Sequence, residues 1–241
     1  MNVIIIPARM ASTRLPGKPL ADINGIPMVV RVFRQARAAN IGPVIVAAAE
    51  AEIADAITKE GGESVLTDPA LASGSDRVHA AIEAYDPIGK FDAVINLQGD
   101  LPNINPEALR VVETTLEEGG ADIATLAAPI ADPADYDNPN VVKPIVAWES
   151  GGQKGRALYF TRARAPGGEG ELYHHIGIYA FTRAALRRFV ALPPSPLEKR
   201  EKLEQLRALE EGMRIDVARV GEVPLSVDTT SDLERARAVI R

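Results

Sequence analysis

The chain has 241 residues, no Cys, and 27 basic against 33 acidic side chains, for a net charge of −6. That length buries a substantial core. The missing Cys excludes disulfides, thiolate metal sites and a Cys nucleophile, and the acidic balance disfavours a general nucleic-acid binder. Three His make a His-rich metal site unexpected. No apolar run approaches the roughly 18 residues of a membrane span. The run Val3 to Ile6 is too short for a signal peptide and has no basic region before it. The expectation is a cytoplasmic protein that binds neither nucleic acid nor membrane.

Val3-Ile4-Ile5-Ile6 is an unbroken β-branched run closed by Pro7, which predicts a strand buried on both faces. A loop rich in Pro and Gly follows to Asn24-Gly25. Met28 to Ala39 then reads as a helix, with Pro27 near its first turn and Gly42 beyond its end. Strands are predicted at Val44 to Ala47, Ser64 to Leu66 and Ala93 to Leu97. Helices are predicted at Glu50 to Glu60, Asp76 to Tyr85 and Pro106 to Glu118. This βαβ alternation implies a parallel, helix-flanked sheet.

Beyond residue 120 the pattern changes. Ile123 to Ala128, Val141 to Trp148, Ala157 to Phe160 and Ile176 to Phe181 read as strands, the first three without helices between them. Arg183 to Phe189 is a short helix and Glu198 to Glu211 a strong one. Ile215 to Val220 and Leu225 to Val227 are strands, and Asp232 to Ile240 is a closing helix. No internal repeat or linker stands out, so one mixed α/β domain over 1–241 is expected.

Charge is unevenly spread. The first forty residues hold six basic side chains and one acid, leaving 21 basic against 32 acidic, or −11, in the rest. Three of those cations, Arg9, Arg14 and Lys18, lie with Ser12, Thr13, Gly17 and three Pro in the loop after the first strand. Ligands in open α/β sheets bind beyond the strands' carboxyl ends. Backbone N–H groups of small residues and the forked guanidinium groups there suit phosphates. The spacing is neither a P-loop nor a dinucleotide fingerprint. The alternative is a solvated basic loop.

Two carboxylates also follow apolar strands: Asp100 in Gln98-Gly99-Asp100 and Asp228 in Ser226-Val227-Asp228-Thr229-Thr230. An Asp at a strand end facing a phosphate loop is a common way to hold Mg²⁺. Alternatively, Gly99-Asp100 is a turn, and Asp228, Thr229 or Thr230 caps the last helix. Ser73-Gly74-Ser75-Asp76-Arg77 reads first as a helix cap. His174-His175 is too sparse for a metal site, and in a strand the two rings face opposite sides. Leu197, Leu203, Leu206 and Leu209 read as the core face of a helix, with its charges solvated.

These segments, in order, resemble the 3-deoxy-manno-octulosonate cytidylyltransferases, also called CMP-Kdo synthetases. The others that carry the likeness are Asn138-Pro139-Asn140-Val141-Val142-Lys143, Ala157 to Arg162, His175-Ile176-Gly177-Ile178-Tyr179, Pro194 to Glu198 and Leu203-Glu204-Gln205-Leu206-Arg207. The first loop also resembles that of CMP-sialate synthetases, and the later motifs favour Kdo. The resemblance implies a single nucleotide-sugar transferase-like α/β domain, its mixed, mostly parallel sheet flanked by helices. Residues 1–120 would form a nucleotide-binding half and 121–241 a sugar-acid-binding and dimerisation half. It implies a cytoplasmic homodimer that joins CTP and Kdo into CMP-Kdo and pyrophosphate for lipopolysaccharide biosynthesis.

The same resemblance implies roles residue by residue. Arg9, Arg14 and Lys18 would bind the triphosphate, and Ser73 and Arg77 the cytosine. Asp100 and Asp228 would hold Mg²⁺. Gln98, Arg162, His175, Glu204 and Gln205 would line the sugar-acid site. The attacking group is the sugar's own hydroxyl, so no protein nucleophile is expected. The chain departs from the family at Leu101 (usually Glu), at Thr230 (usually Pro), at Ala47 to Ala49 (lacking Thr-Asp) and in the short Gly-rich segment 165–173. Alternatives are a cytidylyltransferase for an amino-substituted Kdo or another sugar acid, a sugar-phosphate enzyme of the same fold, and a non-catalytic nucleotide or sugar sensor.

Overall fold

In a computed structural model describing residues 1–240, the first strand is β1 (Asn2–Ala8), followed by a 3₁₀ turn (Lys18–Leu20). A small hairpin of β2 (Asp22–Ile23) and β3 (Ile26–Pro27) comes next, then α1 (Met28–Ala38), β4 (Val44–Ala48), α2 (Ala51–Lys59), β5 (Glu63–Leu66), α3 (Gly74–Tyr85), β6 (Ala93–Asn96) and α4 (Pro106–Gly119). The second half holds β7 (Ile123–Pro129), β8 (Lys143–Trp148), β9 (Lys154–Thr161), β10 (Tyr173–Thr182), α5 (Arg183–Ala191), α6 (Pro196–Glu201), α7 (Leu206–Glu210), β11 (Ile215–Arg219) and α8 (Thr230–Val239). The expected mixed α/β fold is present, with a mostly parallel sheet and flanking helices. Arg241, the last residue of the expected span, lies outside the described residues.

The chain forms two compact units, Met1–Arg110 with the stretch from Pro224 onward, and Val111–Val223. In the first, parallel strands run in the order β5-β4-β1-β6. The chain builds outward from β1 to β4 and β5, then returns to place β6 on the other side of β1. The carboxyl ends of β1 and β6 therefore flank the switch point where α/β sheets bind ligands. Val3 to Ile6 are fully buried, as are Val94 and Ile95. Pro7 was expected to end the strand, yet it lies within β1. Ile5 O accepts from Leu97 N and Ala8 O from Ala49 N. By this alternation Pro7 faces the β6 side, beyond the last residue paired with β6, so its missing N–H leaves no ladder bond unmade.

The C-terminal stretch packs into the first unit through its apolar side chains. Val227, Leu233 and Ala236 share a buried cluster with Leu15, Ile23 and Met28. Each large side chain buried there contributes about 1.5–3 kcal/mol. Leu225 to Val227 was expected to be a strand and is not one. Its N–H groups bond to loops instead, Leu225 N to Asn103 Oδ1 at 3.0 Å and Val227 N to Asp100 O at 3.0 Å.

In the second unit the strand order is β10-β7-β11-β9-β8, with β7 and β11 parallel and the other pairings antiparallel. The single helix expected over Glu198 to Glu211 is two short helices, α6 and α7. Lys202 ends α6 in the left-handed region, φ 57 and ψ 47. The break lets Leu203 and Leu206 be buried together, while the carbonyls it frees take partners from elsewhere in this unit.

Candidate active site

The first loop closes on itself at the end of β1. Gly17 adopts φ 69, which favours a residue without Cβ, and its N–H donates to Met10 O at 3.2 Å. Leu15 is buried in the cluster described above, so the loop is anchored rather than free. Gly99 crosses the end of β1, where an added Cβ would lie 3.0 Å from Pro7 O. The resulting cleft, about 370 Å³, is lined by Arg9, Ser12, Thr13, Arg14, Lys18, Ser73, Arg77, Gln98, Asp100 and Asp228. All the residues expected at the triphosphate, the cytosine and the metal, with Gln98, thus meet in one cleft of the first unit.

Within it, Lys18 Nζ donates to Asp100 Oδ2 at 2.8 Å and to Asp228 Oδ1 at 3.0 Å. Arg14 Nη2 lies 3.1 Å from Asp228 Oδ1. Burial by itself would push the Lys18 ammonium down, but the charges and hydrogen bonds of the two carboxylates outweigh it and hold its pKa above the ordinary lysine value. Of the three candidate caps for the last helix, Thr229 takes the role: its Oγ1 accepts from Asp232 N, and Asp232 Oδ2 accepts from Thr229 N. The Asp228 carboxylate is thereby left to face the cleft. No cluster of three or more metal-ligating side chains occurs among the described residues. Two carboxylate oxygens nevertheless converge on one ammonium nitrogen. Such a pair of carboxylates suits a divalent cation that keeps its other positions for water and phosphate oxygens.

Ser73 is an N-cap as expected and sits in a capping box with Asp76. Arg77 is buried, with Nη1 donating to Thr67 Oγ1 at 2.6 Å and to Asp68 O at 3.2 Å. It therefore holds the loop after β5 as well as lining the cleft. Gln98 Nε2 donates to Asn96 Oδ1 at 3.1 Å. Leu101, at the position that departs from the family, is buried. Sequence reasoning missed Glu50, whose Oε2 accepts from Met10 N at 2.9 Å and steadies the start of the basic loop. Its position one residue before α2, just past a buried strand, was the available signal.

The second unit holds the other residues assigned to the sugar acid. Arg162 donates from Nε to Glu201 O at 2.8 Å, from Nη1 to Pro139 O at 2.9 Å and from Nη2 to Lys202 O at 3.4 Å. It closes the end of α6, and one N–H on each Nη stays uncommitted. Lys143, also missed, is fully buried, with Nζ donating to Asn138 O at 2.7 Å and Arg162 O at 3.3 Å. Burial pushes its pKa down against the charges of Asp137 and Asp135. Lys143 thus fixes both the strand end that carries Arg162 and the turn that Arg162 contacts. A lysine closing an otherwise apolar strand start was the signal. Gln205 Nε2 is buried without a hydrogen-bond partner in the structure. Glu204 lies 3.6 Å from Arg207.

His175 is buried in β10 between Phe160 and Tyr179, ring centroids 4.9 and 5.5 Å away. Thr125 Oγ1 lies 3.0 Å from His175 Nε2 and 2.8 Å from Ile178 O. The single hydroxyl proton goes to that carbonyl, so the ring is assigned as the neutral Nε2–H tautomer. Burial, with the neighbouring His174 adding to it, pushes His175 down to about 3. Burial, and then the charge of Glu204, push the Tyr179 hydroxyl up. A buried neutral His binds fewer protons than its unfolded counterpart once the pH falls below the ordinary histidine value of 6.5. Its contribution to stability is therefore complete above that pH and is lost as pH falls toward about 3, at a slope approaching about 1.4 kcal/mol per pH unit. Thermal unfolding followed from pH 7 to 5 should steepen for the wild type relative to His175→Asn. Parallel curves would contradict the buried neutral ring.

A basic loop and two carboxylates, Asp100 after β6 and Asp228 just before α8, lining one cleft at the switch point of an α/β sheet, define a nucleotidyltransferase. Comparison with known proteins narrows the class. The family model "Cytidylyltransferase" matches residues 3–215. The 3-deoxy-manno-octulosonate cytidylyltransferases of Parvibaculum lavamentivorans and Rhodospirillum centenum are each 61% identical over 238 residues, which is 99% of this chain and 92% and 93% of theirs. A solved CMP:2-keto-3-deoxy-manno-octonic acid synthetase complexed with CTP superposes with a TM-score of 0.90 at 35% identity, covering 99% of this chain and 98% of that one. A nucleotidyl transferase from Methanothermobacter, at 16% identity and TM-score 0.64, shares the fold. The chain belongs to the cytidylyltransferase family, among the 3-deoxy-manno-octulosonate cytidylyltransferases.

Proposed function

We propose that the protein transfers CMP from CTP to the anomeric hydroxyl of Kdo, releasing pyrophosphate, with Mg²⁺ as its metal. The observation that carries this reading is the convergence of Arg9, Arg14 and Lys18 with Asp100 and Asp228 in one cleft, in a chain of this family. The sugar hydroxyl oxygen attacks the α-phosphorus, the bond to the bridging oxygen breaks, and its electron pair leaves on pyrophosphate. The hydroxyl proton passes to solvent. Arg9 and Arg14 grip phosphate oxygens through paired N–H groups, and Lys18 acts as a point charge. Ser73 and Arg77 serve the cytosine end. Asp100 and Asp228 would hold the divalent ion, which supplies charge neutralisation and acidifies the attacking hydroxyl. The remaining task is in-line placement, which needs rigid positioning rather than a protein nucleophile.

Gln98, Arg162, His175, Glu204 and Gln205 are the sugar-acid residues of this reading. The uncommitted N–H groups of Arg162 suit a carboxylate, and the unpartnered Gln205 amide suits a sugar oxygen, because a buried donor left unpaired costs about 1–3 kcal/mol. A homodimer in the cytoplasm belongs to the same reading. No helix among the described residues is long and apolar enough to cross a membrane.

Arg14→Ala and Lys18→Ala should weaken CTP use, and Arg14→Lys should not restore it fully, because the planar fork is lost though the charge remains. Unchanged KM and kcat for CTP would make the stretch a solvated basic loop. The substrate is tested by kcat/KM for Kdo, its amino analogue and sialic acid with CTP and Mg²⁺. Kdo should lead, and Arg162→Ala should raise KM for Kdo far more than KM for CTP. Preference for sialic acid would overturn the sugar assignment and leave cytidylyl transfer standing. Absence of pyrophosphate release with every acceptor would favour a sensor.

A further inference from the structure

The cations assigned to the triphosphate and the carboxylates assigned to the metal are paired with each other in this structure. Lys18 bridges Asp100 and Asp228 at 2.8 and 3.0 Å, and Arg14 adds a second contact to Asp228 at 3.1 Å. Lys18 and Asp100 are only 18% and 23% exposed, so their attraction is screened less than that of a surface pair. Two positive and two negative groups therefore form a neutral cluster in which Lys18 Nζ stands where a divalent ion would touch both carboxylates.

We propose that Lys18 is an exchange cation: it neutralises the metal-binding carboxylates of the ligand-free protein and moves to the triphosphate only when a divalent ion replaces it. The proposal rests on the reading of Asp100 and Asp228 as metal ligands. A divalent ion arriving alone must displace an ammonium and then face it. A triphosphate arriving alone draws Lys18 and Arg14 away and meets two bare carboxylates. When both arrive, every charge keeps an opposite partner. Metal and nucleotide binding are thereby coupled positively, and the coupling is reciprocal. Entry as a preformed metal–nucleotide complex is the favoured route, and the ligand-free protein resists idle loading with metal.

The test is Mn²⁺ binding to the ligand-free protein, read by the electron paramagnetic resonance of free Mn²⁺. Wild type should bind weakly. Lys18→Met and the hydrogen-bonding variant Lys18→Gln should bind at least tenfold more tightly, whereas Lys18→Arg, which keeps the charge, should stay within about threefold of wild type. Mn²⁺ should also raise the Tm of Lys18→Met more than that of wild type, because the uncovered carboxylates repel one another until the ion binds. Affinity in Lys18→Met and Lys18→Gln equal to or weaker than wild type would overturn the exchange role, even with Asp100 and Asp228 holding metal. The double variant Lys18→Met/Asp100→Asn separates the two readings. If it binds Mn²⁺ as tightly as Lys18→Met, the carboxylates are not the metal site and the underlying assignment fails.

Discussion

Asp100→Asn and Asp228→Asn should each lower divalent-metal-dependent CTP turnover by at least about a hundredfold, the scale seen when one electrostatic stabiliser is removed. Asn matches Asp in shape and can still accept from Lys18, so the substitution isolates the charge. Neither side chain supports the core. The backbone bond from Val227 N to Asp100 O and the Thr229 cap persist in both variants, so the fold should stand. The two variants differ in what they release. Among the described residues Asp100 pairs with Lys18, whereas Asp228 pairs with Lys18 and also holds Arg14. Pyrophosphate release at saturating metal, with far-ultraviolet circular dichroism as the control for folding, decides the matter. Near-normal turnover in either folded variant removes the metal assignment.

The largest stability loss is expected for Arg207→Ala, about 3–5 kcal/mol, the cost of leaving a buried carboxylate without its partner. Arg207 Nε and Nη2 donate to Glu198 at 2.8 and 2.5 Å, with the two side chains only 10% and 13% exposed. The guanidinium also lies 5.3 Å over the Phe189 ring. Burial would push the Glu198 carboxyl up, but hydrogen bonds from Arg207 and from the Ser195 backbone, with the Arg207 charge, hold it below the ordinary range. Glu204 and Gln205 lie between the two partners in sequence, so slackening here should also raise KM for the sugar acid. Urea unfolding of Arg207→Ala and of Glu198→Gln/Arg207→Met provides the measurement. The double variant should recover much of the loss, because it removes the unpaired charge along with the pair. A loss under about 1 kcal/mol for Arg207→Ala would class the bridge with exposed pairs.

Strands β1, β4 and β6 were legible because parallel strands buried on both faces need continuous apolar runs. The first loop and Asp100 were legible for a related reason. Polar and charged residues directly after such strands have the sheet's ligand-binding edge as their natural position. The stretch from Leu225 to Val227 misled because its apolar side chains serve packing in the first unit, while its N–H groups bond to loops rather than to a ladder. The Glu198 to Glu211 stretch misled for a different reason. Its residues mostly favour helix, and only the burial of Leu203 and Leu206, the Glu198–Arg207 pair and Arg162 closing the freed carbonyls reward the break at Lys202.

Local pattern was enough to establish the α/β class, the basic loop and Asp100 after its strand, because each depends on residues close together in the chain, whereas Asp228 was singled out from a strand that the structure does not form. Tertiary structure alone decided which of Asp228, Thr229 and Thr230 serves as the cap, that Lys18 reaches across 82 and 210 positions to two carboxylates, and that Arg162 and Lys143 brace a turn. Those outcomes depend on long-range packing. An ion pair between distant residues leaves no periodicity in the chain, and a buried cation has the same letter as a solvated one.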